Sequence, residues 1–244
     1  MYEILLFLGG FFAGVINVLA GGGSFLTLPI LGFYGLTTSV ANGTNRIGIL
    51  LQNISATWNF IVKKEIKLAD AFFLSIPTII GAVVGTSIVL SLPEELLKVS
   101  IGIIFLAMSY FVLFSPKVWE EGKKVKANRW VSATVFFLIG IYGGYIQAGV
   151  GFFLIYALTM LEGYNIKQAN AIKIFLTLIF TVFSLILFSF KSKVEIVPGL
   201  ILGVGSFIGG YFGAYLNRRV NKNIIRYTVA GMMILSALNY IFVR

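Results

Sequence analysis

The sequence contains no cysteine and no histidine. That excludes thiol nucleophiles, disulfides, haem ligation and the usual zinc ligand sets. Charge is scarce too, at 11% of residues, where a soluble domain carries about 25%. A chain of 244 residues that is 58% hydrophobic, with a mean hydropathy of +0.95, cannot clothe a water-facing surface. The nine acids are Glu3, Glu65, Asp70, Glu94, Glu95, Glu120, Glu121, Glu162 and Glu195, all at the ends of apolar runs or between them. None is placed to relay protons inside a span, and none joins an oxygen-rich cage for a divalent metal. With neither histidine nor a paired carboxylate in the spans, no general base is in view. An enzyme is not expected, nor is a metal or cofactor.

What remains is apolar and periodic. Runs long enough for a helix to cross about 30 Å of hydrocarbon recur along the chain. The short alternating segments of a β-barrel are absent. The expected fold is all-α, a polytopic membrane helical bundle. Ten segments are predicted in two sets of five. The first set is Glu3–Ala20, Ser24–Leu36, Ser39–Val62, Leu68–Leu90 and Glu94–Phe114. The second is Arg129–Ala148, Phe152–Leu161, Lys167–Phe190, Glu195–Leu216 and Asn221–Val243. Residues 1–115 then form a first membrane repeat, 116–128 a cytoplasmic linker loop and 129–244 a second repeat. The start, Met-Tyr-Glu before an apolar run, lacks the basic opening of a signal peptide and reads as a mature first helix.

The two sets resemble each other. Ala41-Asn42-Gly43-Thr44-Asn45-Arg46 matches Ala169-Asn170-Ala171-Ile172-Lys173-Ile174, and Gly81 and Gly85 match Gly209 and Gly213, at an offset of about 128 residues. Gly14 and Asn17 correspond to Gly144 and Gln147 with a slip of one or two positions. Repeats of this kind place a binding site at their interface in many transporters. The net charge of +10 could suggest nucleic acid, but most Lys and Arg sit in short loops, as the positive-inside rule requires. If the first two segments of each half leave and return on one side, about 13 of the basic loop residues share a face against about 4. A single crossing gives about 11 against about 6. The cleaner division makes the repeats inverted and puts both termini outside the cytoplasm.

The second segment of each half is short, about 13 residues or 20 Å of helix in the first. It follows Gly21-Gly22-Gly23-Ser24 in one half and Gln147-Ala148-Gly149-Val150-Gly151 in the other. Glycines break helices and bare backbone amides, so each half opens with a broken helix or re-entrant hairpin. A helix restarting there presents unpaired amides and the positive end of its dipole, which suits an oxyanion. Ser24 at the N-cap adds a hydroxyl. Arg46 and Lys173 lie about seven residues inside their spans, where a cation is costly and faces a cavity unless it snorkels to the headgroups. Asn17, Asn42, Thr44, Asn45, Gln147 and Asn170 recur around the breaks, as helix–helix glue or as ligands. The candidate site is thus Asn17, Gly21, Gly22, Gly23, Ser24, Asn42, Thr44, Asn45, Arg46, Gln147, Gly149, Gly151, Asn170 and Lys173.

With these residues named, the chain resembles the TauE/SafE, or sulfite exporter, family. The likeness rests on Gly14 to Pro29, with its Gly-Gly-Gly-Ser and Leu-Thr-Leu-Pro, and on the 41–46 motif. It extends to Gly143-Gly144-Tyr145-Ile146-Gln147-Ala148-Gly149-Val150-Gly151-Phe152 and the 169–173 motif. The resemblance implies export of sulfite, a sulfonate or a related organic anion across the cell (inner) membrane, without a cofactor. The expected protein is an alternating-access transporter for a small anion. An anion-selective channel or another organic-anion permease of the same family stands as the alternative. Its partners are the anion and the lipid bilayer, not nucleic acid, and surface Phe and Trp leave a homodimer open.

Overall fold

The computed structural model describes residues 2–63, 68–114, 127–216 and 222–242. Lys64, Glu65 and Lys67, most of the linker, Arg218, Arg219 and the last two residues lie outside them. Ten helices are present: α1 (Tyr2–Ala20), α2 (Ser24–Phe33), α3 (Thr38–Val62), α4 (Leu68–Ser91), α5 (Glu94–Phe114), α6 (Arg129–Tyr145), α7 (Val150–Met160), α8 (Ile166–Phe190), α9 (Ile196–Leu216) and α10 (Lys222–Phe242). The predicted segments are all found. α2 stops three residues sooner than expected, because the chain turns at Gly35 with φ +106°. α7 starts two residues earlier, directly after Gly149, also in the left-handed region.

The bundle is apolar outside and polar within, as lipid demands. Exposed positions include Trp58, Phe72, Ile103, Trp130 and Phe190, whereas Asn42, Thr44, Asn45, Arg46, Gln52 and Asn53 on α3 are buried. Among the described residues, four helices have the length and composition to cross a membrane: α1, α8, α9 and the Ala71–Ser91 part of α4. α3 owes its lower hydrophobicity to the polar stripe it carries through the centre, between α8 and α9.

Packing crosses between the halves. α1 lies along α9, and α6 lies along α4. Small residues allow both approaches: a Cβ on Gly81 or Gly85 would strike the carbonyls of Phe137 or Ile141, and one on Gly209 that of Phe11. The third helices, α3 and α8, meet at the centre, and α5 packs on α10. α2 breaks this regularity by resting on α10. Pro29 lacks the N–H that would bond to the Phe25 carbonyl four residues back. The Ser236 hydroxyl of α10 donates to that carbonyl instead. Phe25 also meets Phe105 of α5 edge-on at 4.6 Å. At the start of α3 the Glu94 carboxylate accepts from the amides of Thr38 and Ser39, so this acid serves as a helix cap.

Candidate functional site

The breaks of α1/α2 and α6/α7 touch at the centre. A Cβ on Gly21 would stand 2.5 Å from the Gly151 Cα, and one on Gly151 2.6 Å from the Gly21 Cα. Gly21 also has φ +87°, so only glycine fits there without strain. On the other side Gln147 holds φ +64°. A non-glycine residue there costs roughly 1–2 kcal/mol and persists only where its surroundings hold it. Two side chains do so. Arg46 donates to Gln147 Oε1 at 2.9 Å, and Gln147 Nε2 donates to Thr181 Oγ1 at 2.5 Å.

The two buried cations cross over. Arg46, on α3 of the first half, reaches the end of α6 in the second. Its Nη2 donates to the Gly144 carbonyl at 2.5 Å and its Nη1 approaches that of Gly143 at 3.4 Å. Lys173, on α8 of the second half, reaches the end of α1 in the first. Its Nζ donates to the carbonyls of Asn17 and Val18, both at 3.1 Å. Both residues are buried, so neither snorkels. The last carbonyls of a helix have no partner within it and carry the negative end of its dipole. Each half's cation therefore satisfies the other half's broken helix.

Two small cavities flank this crossing and share Asn17. One, of about 10 Å³ and so no larger than a single water needs, is lined by Asn17, Gly21, Asn53, Gln147, Val150, Gly151, Lys173, Ile174 and Thr177. The other, also of about 10 Å³, is lined by Ala13, Asn17, Gly23, Ser24, Thr27, Asn45, Ile49, Gln52 and Ser206. The start of α7 thus faces the first cavity and the start of α2 the second. Among the described residues, no acceptor meets the amides of Gly22, Gly23 and Ser24, or those of Gly149 and Gly151.

Asn45 joins α3 to α2: it donates to Ser24 Oγ at 3.0 Å and accepts from Thr27 Oγ1 at 2.6 Å. Asn42 donates to the Tyr145 carbonyl at 2.7 Å. Thr44 accepts from the Glu195 amide at 2.9 Å, which fixes the approach to α9. Gly22 faces Val229 of α10. Asn170 is buried with neither amide atom partnered, and it lines neither cavity.

The sequence reading passed over Gln52, Asn53, Thr177 and Thr181. Asn17 Nδ2 donates to Gln52 Oε1 and Gln52 Nε2 to Asn53 Oδ1, each at 3.0 Å. This leaves Asn53 Nδ2 unpartnered beside the Lys173 cavity. Their spacing held the signal. Gln52 and Asn53 lie seven residues beyond Asn45 and Arg46, two turns along one face, and Thr177 and Thr181 follow Lys173 in steps of four.

Residues 6–240 match the family model described as sulfite exporter TauE/SafE. A "probable membrane transporter protein" of Haemophilus influenzae is 27% identical over 239 residues, covering 98% of this chain and 94% of that one. The "probable membrane transporter protein YfcA" of Escherichia coli K12 is 30% identical over 206 residues, or 84% and 77% of the two chains. A Sinorhizobium "probable membrane transporter protein ORF9" is 27% identical over 205 residues, or 84% and 78%. No solved structure matches the chain.

Proposed function

The chain belongs to the sulfite exporter TauE/SafE family of multi-pass membrane transporters, and from that premise we propose that it carries a small anion, sulfite or an organosulfonate, outward across the cell (inner) membrane. The observation that carries this reading is the pair of buried cations, neither of which has a carboxylate among its hydrogen-bond partners. Each of two C-terminal helix ends offers about half a negative charge, and the starts of α2 and α7 each return about half a positive one. The centre is left with close to the full charge of Arg46 and Lys173. An uncompensated charge in a low-dielectric interior is expensive, and an anion at the Lys173 cavity relieves it. The third ammonium N–H, Asn53 Nδ2 and the free amide of Gly151 supply the donors. Gly23 and Ser24, at the start of α2, line the neighbouring cavity.

Movement follows alternating access between inverted repeats with both termini outside the cytoplasm. The helix crossing at Gly21 and Gly151 is the pivot about which the halves exchange. An interior-negative potential helps expel an anion by about 2.3 kcal/mol per charge per 100 mV, so export needs no proton site.

Asn170 separates this reading from a structural one. An amide buried without partners costs about 1–3 kcal/mol, so Asn170→Leu is expected to melt at or above the wild-type temperature. If Asn170 meets the anion in transit, the same variant loses flux in proteoliposomes by tenfold or more, equivalent to about 1.4 kcal/mol. Asn45→Leu, which opens the tie to α2, loses flux as well. Wild-type uptake by both variants would refute the assignment.

A further inference from the structure

The carbonyl ends of interrupted helices are where transporters with broken spans hold a dissolved coupling cation. In this chain both such ends are already occupied by side chains. The ammonium of Lys173 sits between the carbonyls of Asn17 and Val18, at 3.1 Å from each, beyond the last turn of α1. The guanidinium of Arg46 sits at the equivalent end of α6, on Gly143, Gly144 and Gln147. Each arrives from the opposite repeat, so the arrangement is reciprocal.

The shapes of the two cradles match their occupants. Three acceptors spread around the end of α6 suit a planar fork, and Phe188 lies 4.8 Å from the Arg46 guanidinium carbon, over its ring. Two adjacent carbonyls beside a cavity suit a compact monovalent ammonium. Around Lys173 that cavity supplies only neutral oxygen and nitrogen groups: Asn17, Asn53, Gln147 and Thr177. Among the described residues no group of three or more acids gathers to hold a metal ion. The described charged and titratable side chains of α3, α6 and α7, which pack against α8, point elsewhere. Arg46 is taken up by α6, the Tyr142 hydroxyl donates to Ala148, and Tyr145 pairs with Ser100. Tyr156 of α7 is exposed on the outside.

We propose that Lys173 and Arg46 are tethered cations that stand in for dissolved ones: Lys173 fills a helix-end carbonyl cradle suited to a small monovalent cation and Arg46 fills the equivalent end of α6, so anion movement in this protein requires no dissolved sodium or potassium. The cradle stands whatever anion is carried. Emptying it by truncation converts it into a binding site for a free alkylammonium ion. Propylammonium matches the atoms that Lys173→Ala removes, three carbons and the nitrogen, and the hole left adjoins the existing cavity.

Purified wild type and Lys173→Ala are melted in choline, sodium and propylammonium chlorides. Wild type is expected to melt at one temperature in all three. The variant is expected to melt lower in choline and to recover several degrees in propylammonium. If the variant does not fold in choline, it is prepared with propylammonium present throughout. Failure to fold there, or a melting temperature in propylammonium no higher than in choline, overturns the proposal. So does wild-type sulfite uptake that stops when choline replaces sodium and potassium. An Arg46→Ala variant stabilised by methylguanidinium and not by propylammonium confirms that the two cradles are distinct; the reverse preference counts against them. The melting measurements need no anion, so a failure of the anion reading leaves them standing and is recognised separately.

Discussion

The two helix breaks hold equivalent places in the repeats, yet they are secured to different degrees. At the second, three helices converge on the end of α6. Arg46 and Asn42 come from α3, and Thr86 of α4 donates to the Gly144 carbonyl at 3.1 Å. Gln147 is clamped in a left-handed backbone between Arg46 and Thr181. At the first, Lys173 is the one side chain among the described residues that donates to the carbonyl end of α1. The start of α2 is held through the short hydroxyl and amide ties of Ser24, Thr27 and Asn45. The heavily bonded break is framework. The other adjoins both cavities and has fewer ties to lose when it moves.

That contrast can be broken from the strong side first. Arg46→Met leaves the Gly143 carbonyl and the Gln147 amide oxygen buried without that donor, and the Gly144 carbonyl with Thr86 alone. Removing one partner of a buried charged network costs about 3–5 kcal/mol, to be read as a large drop in melting temperature in detergent. Gly21→Ala comes next. Left-handed strain of about 1–2 kcal/mol adds to overpacking against Gly151, itself about 1–3 kcal/mol. Flux is expected to fail with it, since the pivot is lost. Lys173→Met should cost less than Arg46→Met, about 2 kcal/mol, because removing a buried cation offsets part of the loss of two carbonyl bonds. Equal losses for the two cation variants would erase the distinction between the breaks. The smallest effect belongs to Gln147→Asn. Asparagine tolerates the left-handed region, so stability should change by less than about 1 kcal/mol. The shortened arm releases Arg46 or Thr181, and a slower flux at unchanged melting temperature checks it.

Much of the fold was legible because lipid permits few solutions. Long apolar runs with polar punctuation give helices, and the glycine clusters at 21–23 and 149–151 mark the interruptions. The duplicated motifs pointed to Arg46 and Lys173 as interior residues. Their destinations could not be read, since each bonds with the opposite half across about 100 to 156 positions of sequence. An intramembrane cation suggests an anion nearby, but backbone carbonyls satisfy it equally well, and no side-chain pattern announces them. Asn53 escaped notice for a related reason: alone it looks like helix–helix glue, and only the chain from Asn17 through Gln52 shows that its amide hydrogens remain free.

The account depends on the centre of the bundle being positively charged and short of an anion. The direct measurement is the melting temperature of purified wild type and Lys173→Met across a series of sulfite, sulfoacetate, sulfate and simple carboxylates. A ligand held only by the folded state stabilises it by about 2.7 kcal/mol at one hundred times its dissociation constant. At least one of these anions should raise the wild-type melting temperature with concentration and leave the variant unmoved. A wild type indifferent to every anion, or a variant that responds as fully, would contradict a cationic binding centre.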